Sequence, residues 1–332
     1  GAVEGLIPPV DLAEYLGISP TWVNSTAVGG STWEVMAQHA VDAIASGSTE
    51  VVVLTYASTV RSDLKAGRGV VQQPRALADL VAYERAYQPT LIGCYAMAAK
   101  RHMHEYGTTA EQMAEIAVAM RANAATNPLA QYRTPITVEE VQAAPMLADP
   151  FTTLHCCIRS DGGGAVVLAS EAVARHCRKK PVWVLGAGQA VSHVSMSQWP
   201  DFTRSACARS GEIAFGQAGV KPADIDLAQI YDSFTYTVLA TLEGLGFCAP
   251  GEGGAFVANG ALTRDGRLPT NTDGGGLAAC HPGQRGIFLL VEAVRQLRHD
   301  AGEGQVPDAK LCCVNGTGGF MSSTGTMILG VD

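Results

Sequence analysis

A chain of 332 residues is long enough for two domains, each with its own core. Its residues are 47% hydrophobic and 16% charged, the latter well under the usual ~25%, which indicates a large interior or an extensive buried subunit interface. A net charge of -8 with no basic run makes nucleic acid and anionic membranes poor partners, and no uninterrupted apolar segment reaches the ~18 residues that span a bilayer. Nine cysteines without any Cys-x-x-Cys spacing support neither a zinc ribbon nor a disulfide framework, so a cytoplasmic protein is expected. No signal peptide is visible over Gly1 to Pro9, and without an initiator Met the natural start is expected to lie further upstream.

Residues 1–21 read as the end of a helix or a loop, broken at Ile7-Pro8-Pro9 and again at Ser19-Pro20. Trp22 to Thr32 is a small-residue loop feeding a helix, because Trp33, Met36, Ala37, Ala40, Val41 and Ile44 form one apolar stripe at the 3.6 period and Gly47 is placed to end it. Val51-Val52-Val53-Leu54 then reads as a buried strand. Such a loop at a buried helix start leaves backbone N–H groups free for an oxyanion or beside a nucleophile, although the loop by itself reads more readily as a glycine turn that lets helix and strand pack.

From Val60 to about Asp149 the chain is charged, proline-punctuated and mostly helical, with a capping box at Thr109-Ala110-Glu111-Gln112 and a stripe of Met113, Ile116, Ala117 and Met120 that ends at Asn127-Pro128. This stretch is expected to be a lid or substrate-shaping lobe inserted in the first domain. Strand character returns over Leu154 to Ser170, with a turn at Ser160 to Gly164, and a charged helix is expected over Glu171 to Lys180. Pro181 to Leu185 opens the second domain; its Gly186-Ala187-Gly188 lacks the third glycine and acidic partner of a dinucleotide loop. Leu227 to Ile230 reads as a strand ending at Tyr231, with a helix over Thr237 to Leu245 and glycine-dense loops at 251–256 and 269–276. Finally, the loop Cys280 to Gly286 enters a helix with Ile287, Leu290, Val291, Val294 and Leu297 on one face, before a strand at Lys310 to Val314. Loop, helix and strand thus occur twice in the same order, which indicates an internal duplication and an α/β fold with two sheets.

Several motifs lie along the chain: Val23-Asn24 with Gly30-Ser31-Thr32, His104 to Gln112, Ser160-Asp161-Gly162, Gly251 to Phe256, Asn271-Thr272 with Gly274-Gly275-Gly276, His281-Pro282-Gly283, and Asn315 to Gly319. Together they resemble the thiolase superfamily, in its branch of sterol carrier protein x-type thiolases and lipid-transfer-protein-like acyl-CoA enzymes. The resemblance implies a thiolase fold of two duplicated βαβαβαββ halves with helices on both faces, a helical loop domain inserted in the first half, and a tight homodimer. It divides the chain into an N-terminal half over 1–178, with the insertion at 61–150, and a C-terminal half over 179–332. It also implies one more strand and helix ahead of residue 1.

One departure governs the functional expectation. The family's nucleophilic cysteine aligns with Ala27, and a methyl group cannot form an acyl-enzyme. His281 falls on the histidine of the family's His-Pro-Gly loop, Cys313 on its acid/base cysteine, and Tyr231 where thiolases carry Asn or His. By themselves these are equally a backbone-satisfied histidine, a small core thiol and a strand-end tyrosine. Loss of the nucleophile with acid/base groups kept resembles the family's aldolase offshoot, which cleaves β-hydroxyacyl-CoA thioesters of steroid side chains. The expected site is therefore Tyr231, His281 and Cys313 for proton transfer, with Ala27, Gly30, Ser31, Asn315 and Gly316 binding the oxyanion or substrate. The aldolases use tyrosines at both acid/base positions, so His281 departs from them. The resemblance further implies a coenzyme A thioester as substrate, no bound cofactor, no metal, and a separate accessory subunit with an OB-fold and a zinc ribbon. Two other readings stand beside it: an acyltransferase using Cys313 or a hydroxyl, and a non-catalytic lipid- or acyl-CoA-binding subunit.

Overall fold

The computed structural model describes residues 8–68, 84 and 90–332. After α1 (Pro8–Leu16), residues 18–28 run without regular structure into a 3-10 turn at Gly29–Ser31 and then α2 (Thr32–Ala45), with Gly47 at φ 74° just beyond it. The stripe predicted for this helix is real, yet its first six residues are buried on every side, because the helix runs between two sheets. β1 (Val51–Ser58) is longer than expected and only half-buried. Val52, Leu54 and Tyr56 point into the core, whereas Val51 and Val53 remain 45% and 47% exposed. A run of valines conceals the period of two, since both faces of the strand are apolar.

Between β1 and β4 lie α3 (Val60–Lys65), α4 (Leu91–Tyr106), α5 (Ala110–Ala124), α6 (Val138–Ala143), β2 (Met146–Ala148) and β3 (Phe151–Thr152). The capping box of α5 forms as expected, Gln112 N donating to Thr109 Oγ1 and Thr109 N to Gln112 Oε1. β4 (Gly162–Ala169) pairs antiparallel with β1 from Ser58 opposite Gly162 to Val51 opposite Ala169. The three glycines expected to turn therefore lie in the strand, where a methyl on Gly162 would stand 2.8 Å from Cys280 Sγ. The following helix is also shorter than expected: α7 spans Glu171–Ala174, since residues 175–180 are exposed and offer no apolar face to hold another turn.

The second sheet contains β5 (Trp183–Val191), β6 (Leu227–Ile230), β7 (Leu311–Gly318) and β8 (Ser323–Gly330) in the order β5-β8-β7-β6, with β6 and β7 parallel and the other pairs antiparallel. Gly186 and Gly188 belong to β5, where they let α8 (Cys207–Ala218) lie against the sheet; methyls there would meet Ala214 O at 2.1 Å and Ser210 O at 2.2 Å. α9 (Thr235–Gly244), α10 (Gly253–Val257), a π-helical turn at Gly275–Ala279 and α11 (Gly286–Leu297) complete this part. α2 and α11 pack on one another and each touches strands of both sheets. They form a middle helical layer, and the order helix, strand, antiparallel strand repeats as α2-β1-β4 and α11-β7-β8. The starts of the two middle helices thereby face a common space.

Candidate active site

Tyr231 is the first residue beyond β6, and its backbone N–H donates to Asn315 O on β7 at 2.9 Å, which extends the parallel pairing by one residue. Its ring turns to the side of the sheet carrying Trp33, Ile287 and Val314. There it lies against Gly30, whose lack of a side chain makes room for it. The phenol oxygen is 3.0 Å from His281 Nε2, the rings meet edge-on with centroids 5.6 Å apart, and the Arg285 backbone N–H at the start of α11 gives the phenol a second hydrogen bond. Burial pushes the Tyr231 pKa well above its ordinary 10.0, with Cys157, Tyr95 and Tyr56 as further titratable neighbours that oppose a negative charge.

His281 sits in the loop between the π-helical turn and α11. Its N–H donates to Ser160 Oγ at 2.9 Å, and Gly276 leaves room for the ring, since a methyl there would lie 3.1 Å from His281 Cδ2. Tyr56 of β1 clamps the same loop, donating to Pro282 O and accepting from Gln284 N at 3.1 Å. The residue is half-buried. Burial and the nearby Arg285 charge together pull its pKa from 6.5 to about 4, so the imidazole is neutral at physiological pH.

Beneath the pair lies a buried ionic support. The Arg285 guanidinium donates to Cys280 O at 2.8 Å and to both carboxylate oxygens of Asp273 at 2.6 and 2.8 Å, and its Nε lies 3.4 Å from Asp232 Oδ1. Asp232 in turn accepts from the backbone N–H groups of Gly276 at 2.7 Å and Leu277 at 3.0 Å. Burial raises Asp232 to about 6 while Arg285 and these two N–H groups oppose the rise, leaving a carboxylate at neutral pH. The tripod of Asp232, Asp273 and Arg285 fixes the backbone on either side of His281.

The structure thus brings together Tyr231, His281 and Gly30 of the expected set, but not the others in their expected roles. Cys313 is fully buried on β7 and faces the opposite side of the sheet, among Cys207, Ala228, Ile230 and Ile328. Period-two alternation along the strand turns it away from Tyr231. Asn315 and Gly316 do not form a turn; they lie inside β7 opposite Thr326 and Gly325, Asn315 Nδ2 donates to Thr326 Oγ1 at 2.8 Å, and Gly316 is packed under Glu34. Ser31 is likewise committed, with its hydroxyl on Val28 O at 3.2 Å and 2.9 Å from Ser323 Oγ, and so ties the loop to β8. Ala27 is exposed. Sequence reasoning missed Asp232, Asp273, Arg285, Tyr56 and Ser160. The signal for the first three was charge within an otherwise apolar half, where a fully buried Arg requires buried acids.

Among the described residues no thiolate is prepared beside the pair. Burial pushes Cys157 up to about 12 and also raises Cys280 and Cys313, which keeps all three protonated. All nine cysteines are free thiols.

Residues 188–331 match a family model described as thiolase C-terminal domain-like. The chain is similar to a steroid side-chain-cleaving aldolase of Thermomonospora curvata, 38% identical over 89% of this chain and 77% of the relative. It is also similar to a 17-hydroxy-3-oxo-4-pregnene-20-carboxyl-CoA lyase of Mycobacterium tuberculosis, at 35% over 97% and 85%, and to an acetyl-CoA acetyltransferase of Methanothermobacter thermautotrophicus, at 34% over 93% and 80%. Among solved structures, one titled Ltp2-ChsH2(DUF35) aldolase superposes with a TM-score of 0.88 at 35% identity, covering 97% of this chain and 84% of that one.

Proposed function

Because this chain belongs to the thiolase superfamily, we propose that it is an acyl-CoA carbon–carbon lyase, cleaving a β-hydroxyacyl-CoA by retro-aldol chemistry into a ketone or aldehyde and a shortened acyl-CoA. The observation that carries the reading is the Tyr231–His281 pair, hydrogen-bonded at 3.0 Å beside a loop whose nucleophile position holds Ala27. Acyl transfer by the thiolase route needs a thiolate. Retro-aldol cleavage needs only proton transfers and a place for the enolate.

In this reading the substrate β-hydroxyl donates to Tyr231 Oη while the phenol donates to neutral His281 Nε2. As the carbon–carbon bond breaks, the hydroxyl proton passes to the tyrosine oxygen and the tyrosine proton to the imidazole. The bonding pair moves into the thioester as an enolate, and the hydroxyl carbon becomes the carbonyl product. The imidazolium, made strongly acidic by burial and Arg285, then returns its proton through Tyr231 to the enolate carbon, so neither protons nor electrons are gained or lost. The Arg285 N–H at the start of α11 supports the partial negative charge on the phenol during the relay. Ala27 supplies room for the acyl group, and Gly30 seats the phenol.

We further read the chain as two halves, 1–178 and 179–332, with 61–150 inserted in the first; the family match over 188–331 supports the second. A sterol side chain is the proposed acyl class, on the names of two relatives. A separate OB-fold zinc-ribbon subunit is the proposed partner, supported by the two-component title of the structural neighbour, and a cytoplasmic homodimer is the proposed setting. Among the described residues no helix is long and apolar enough to cross a membrane.

The test is incubation with a β-hydroxyacyl-CoA, and in parallel with a β-ketoacyl-CoA plus free CoA, each with and without such a partner subunit, reading products by mass spectrometry. A carbonyl product plus a shortened acyl-CoA from the first mixture alone is the expected result. Thiolysis of the second mixture would overturn the reading in favour of an acyltransferase, and silence in both would favour a binding subunit.

A further inference from the structure

Glu34 has no part in the relay, yet it lies directly behind it. It is 1% exposed, in the first turn of α2, and neither carboxyl oxygen has a hydrogen-bond partner. Two glycines make space for it: a methyl on Gly286 would stand 2.6 Å from Glu34 Oε2, and one on Gly316 2.1 Å from the same atom. Gly286 opens α11, next to the Arg285 N–H that bonds the Tyr231 phenol, and its Cα also abuts Gly30 O, the carbonyl of the residue that seats the phenol ring. The carboxyl therefore sits against Gly286, the residue that follows the Arg285 N–H.

Among the described residues no cation is paired with it. The elements packed against α2 are α11, β1, β4, β5, β7, β8 and the 3-10 turn at Gly29–Ser31, which has no titratable side chain. Their titratable or charged side chains are Glu292 and Arg295 on α11, Tyr56 on β1, and Cys312 and Cys313 on β7, with none on β4, β5 or β8. Arg295 is bound to Glu292 at 2.9 Å, and Arg285 to Asp273 and Asp232. At the site itself, among the described residues, Tyr231 and His281 carry no positive charge at neutral pH, and the neighbouring Cys157, Tyr95 and Tyr56 add none.

We propose that Glu34 is a charge switch behind Tyr231: uncharged, its carboxyl only fills the space between α2 and the start of α11, and once charged it turns the pair off. This rests on the retro-aldol reading above. A carboxylate in this low-dielectric space opposes negative charge on the phenol during the relay and cancels the field of the α11 N-terminus. Burial raises the carboxyl's pKa to about 8, against the smaller opposing pull of its own backbone N–H. An unsatisfied buried carboxyl also costs stability, which an apolar residue of the same size would not.

The experiment is the pH dependence of kcat/KM for β-hydroxyacyl-CoA cleavage by the chain and by Glu34→Gln. Activity of the unaltered chain is expected to fall through a midpoint of about 8, a position that neither Tyr231 nor His281 accounts for. Glu34→Gln is expected to stay within about threefold of it at neutral pH and to lose that fall. Glu34→Leu, with similar volume and no ionisable proton, should show the same flattened profile and serves if the Gln variant does not fold. An unchanged alkaline fall in either folded variant overturns the assignment of Glu34 while leaving the reaction intact. A chain inert towards β-hydroxyacyl-CoA at every pH overturns the retro-aldol reading, and this one with it.

Discussion

Gly30 presses a bare Cα against the Tyr231 ring: a methyl in place of its hydrogen would stand 2.4 Å from both Cε2 and Cζ, and 2.4 Å from Thr317 O. The Thr317 carbonyl belongs to β7 and cannot yield, so the ring must. Gly30→Ala is therefore expected to push the phenol off His281, lowering kcat by about 100-fold with KM little changed, since a displacement of about 1 Å costs that much. Overpacking should also cost about 1–3 kcal/mol, read as a lower melting temperature. Unchanged kcat in a folded variant would remove Tyr231 from the reaction.

Tyr231→Phe and His281→Phe are each expected to lower kcat by about 10² to 10⁴-fold, the usual range for a positioned acid or base. Because the two residues form one relay, the double variant should be scarcely slower than either single one. Single-turnover rates on the three variants check this. Losses that multiply would mean that the residues act independently.

The motifs that identified the fold were legible because they sit at glycines and helix starts, where backbone geometry limits the choice of residue. The α5 capping box, the β6 strand ending at Tyr231 and the loop to α11 were all found this way. Cys313 and Asn315 were misjudged for the opposite reason. The glycines of their motif continue a strand, and alternation then decides which side each side chain faces. Arg285 and Glu34 could not be placed from sequence, because whether a charged residue is buried depends on which elements cover it. Here two helices about 250 residues apart in sequence meet between two sheets, a non-local fact that periodicity does not carry.

Cys313→Ala should keep turnover, as its thiol lies on the far side of the sheet from the Tyr231–His281 pair. The change leaves a small void in a fully buried position, so the expected effect is a loss of about 1–2 kcal/mol, measured by denaturant unfolding. A collapse of kcat without loss of stability would restore the cysteine to the mechanism.

Arg285→Met removes the only cation of the tripod and leaves Asp232 and Asp273 facing one another in the interior. Breaking a buried pair from one side typically costs about 3–5 kcal/mol, and a chain of this size should register it as a clear fall in melting temperature. Asp232→Asn is expected to be milder, because no buried charge is left unpaired by it and one of the Gly276 and Leu277 N–H groups, which bond to different carboxylate oxygens, keeps an acceptor while the other loses its own. Equal losses in the two variants would show that the aspartate, not the arginine, organises the loop.

His281 gives a prediction for acid conditions whose sign is fixed by its pKa. Folding lowers that value from 6.5 to about 4, so the unfolded chain takes up this proton at higher pH than the folded one. The neutral form thus contributes stability that is present above pH 6.5 and is lost as pH falls through 4. His281→Phe cannot bind the proton, and the difference in unfolding free energy between the two proteins should shift in favour of the variant across that window. Turnover by the unaltered chain should follow the folded-state value, holding to about pH 4 before the imidazole is protonated and can no longer accept from Tyr231. A kinetic limb near 6.5 instead would mean that His281 stands open to water, and that neither burial nor Arg285 makes it the strong acid the enolate requires.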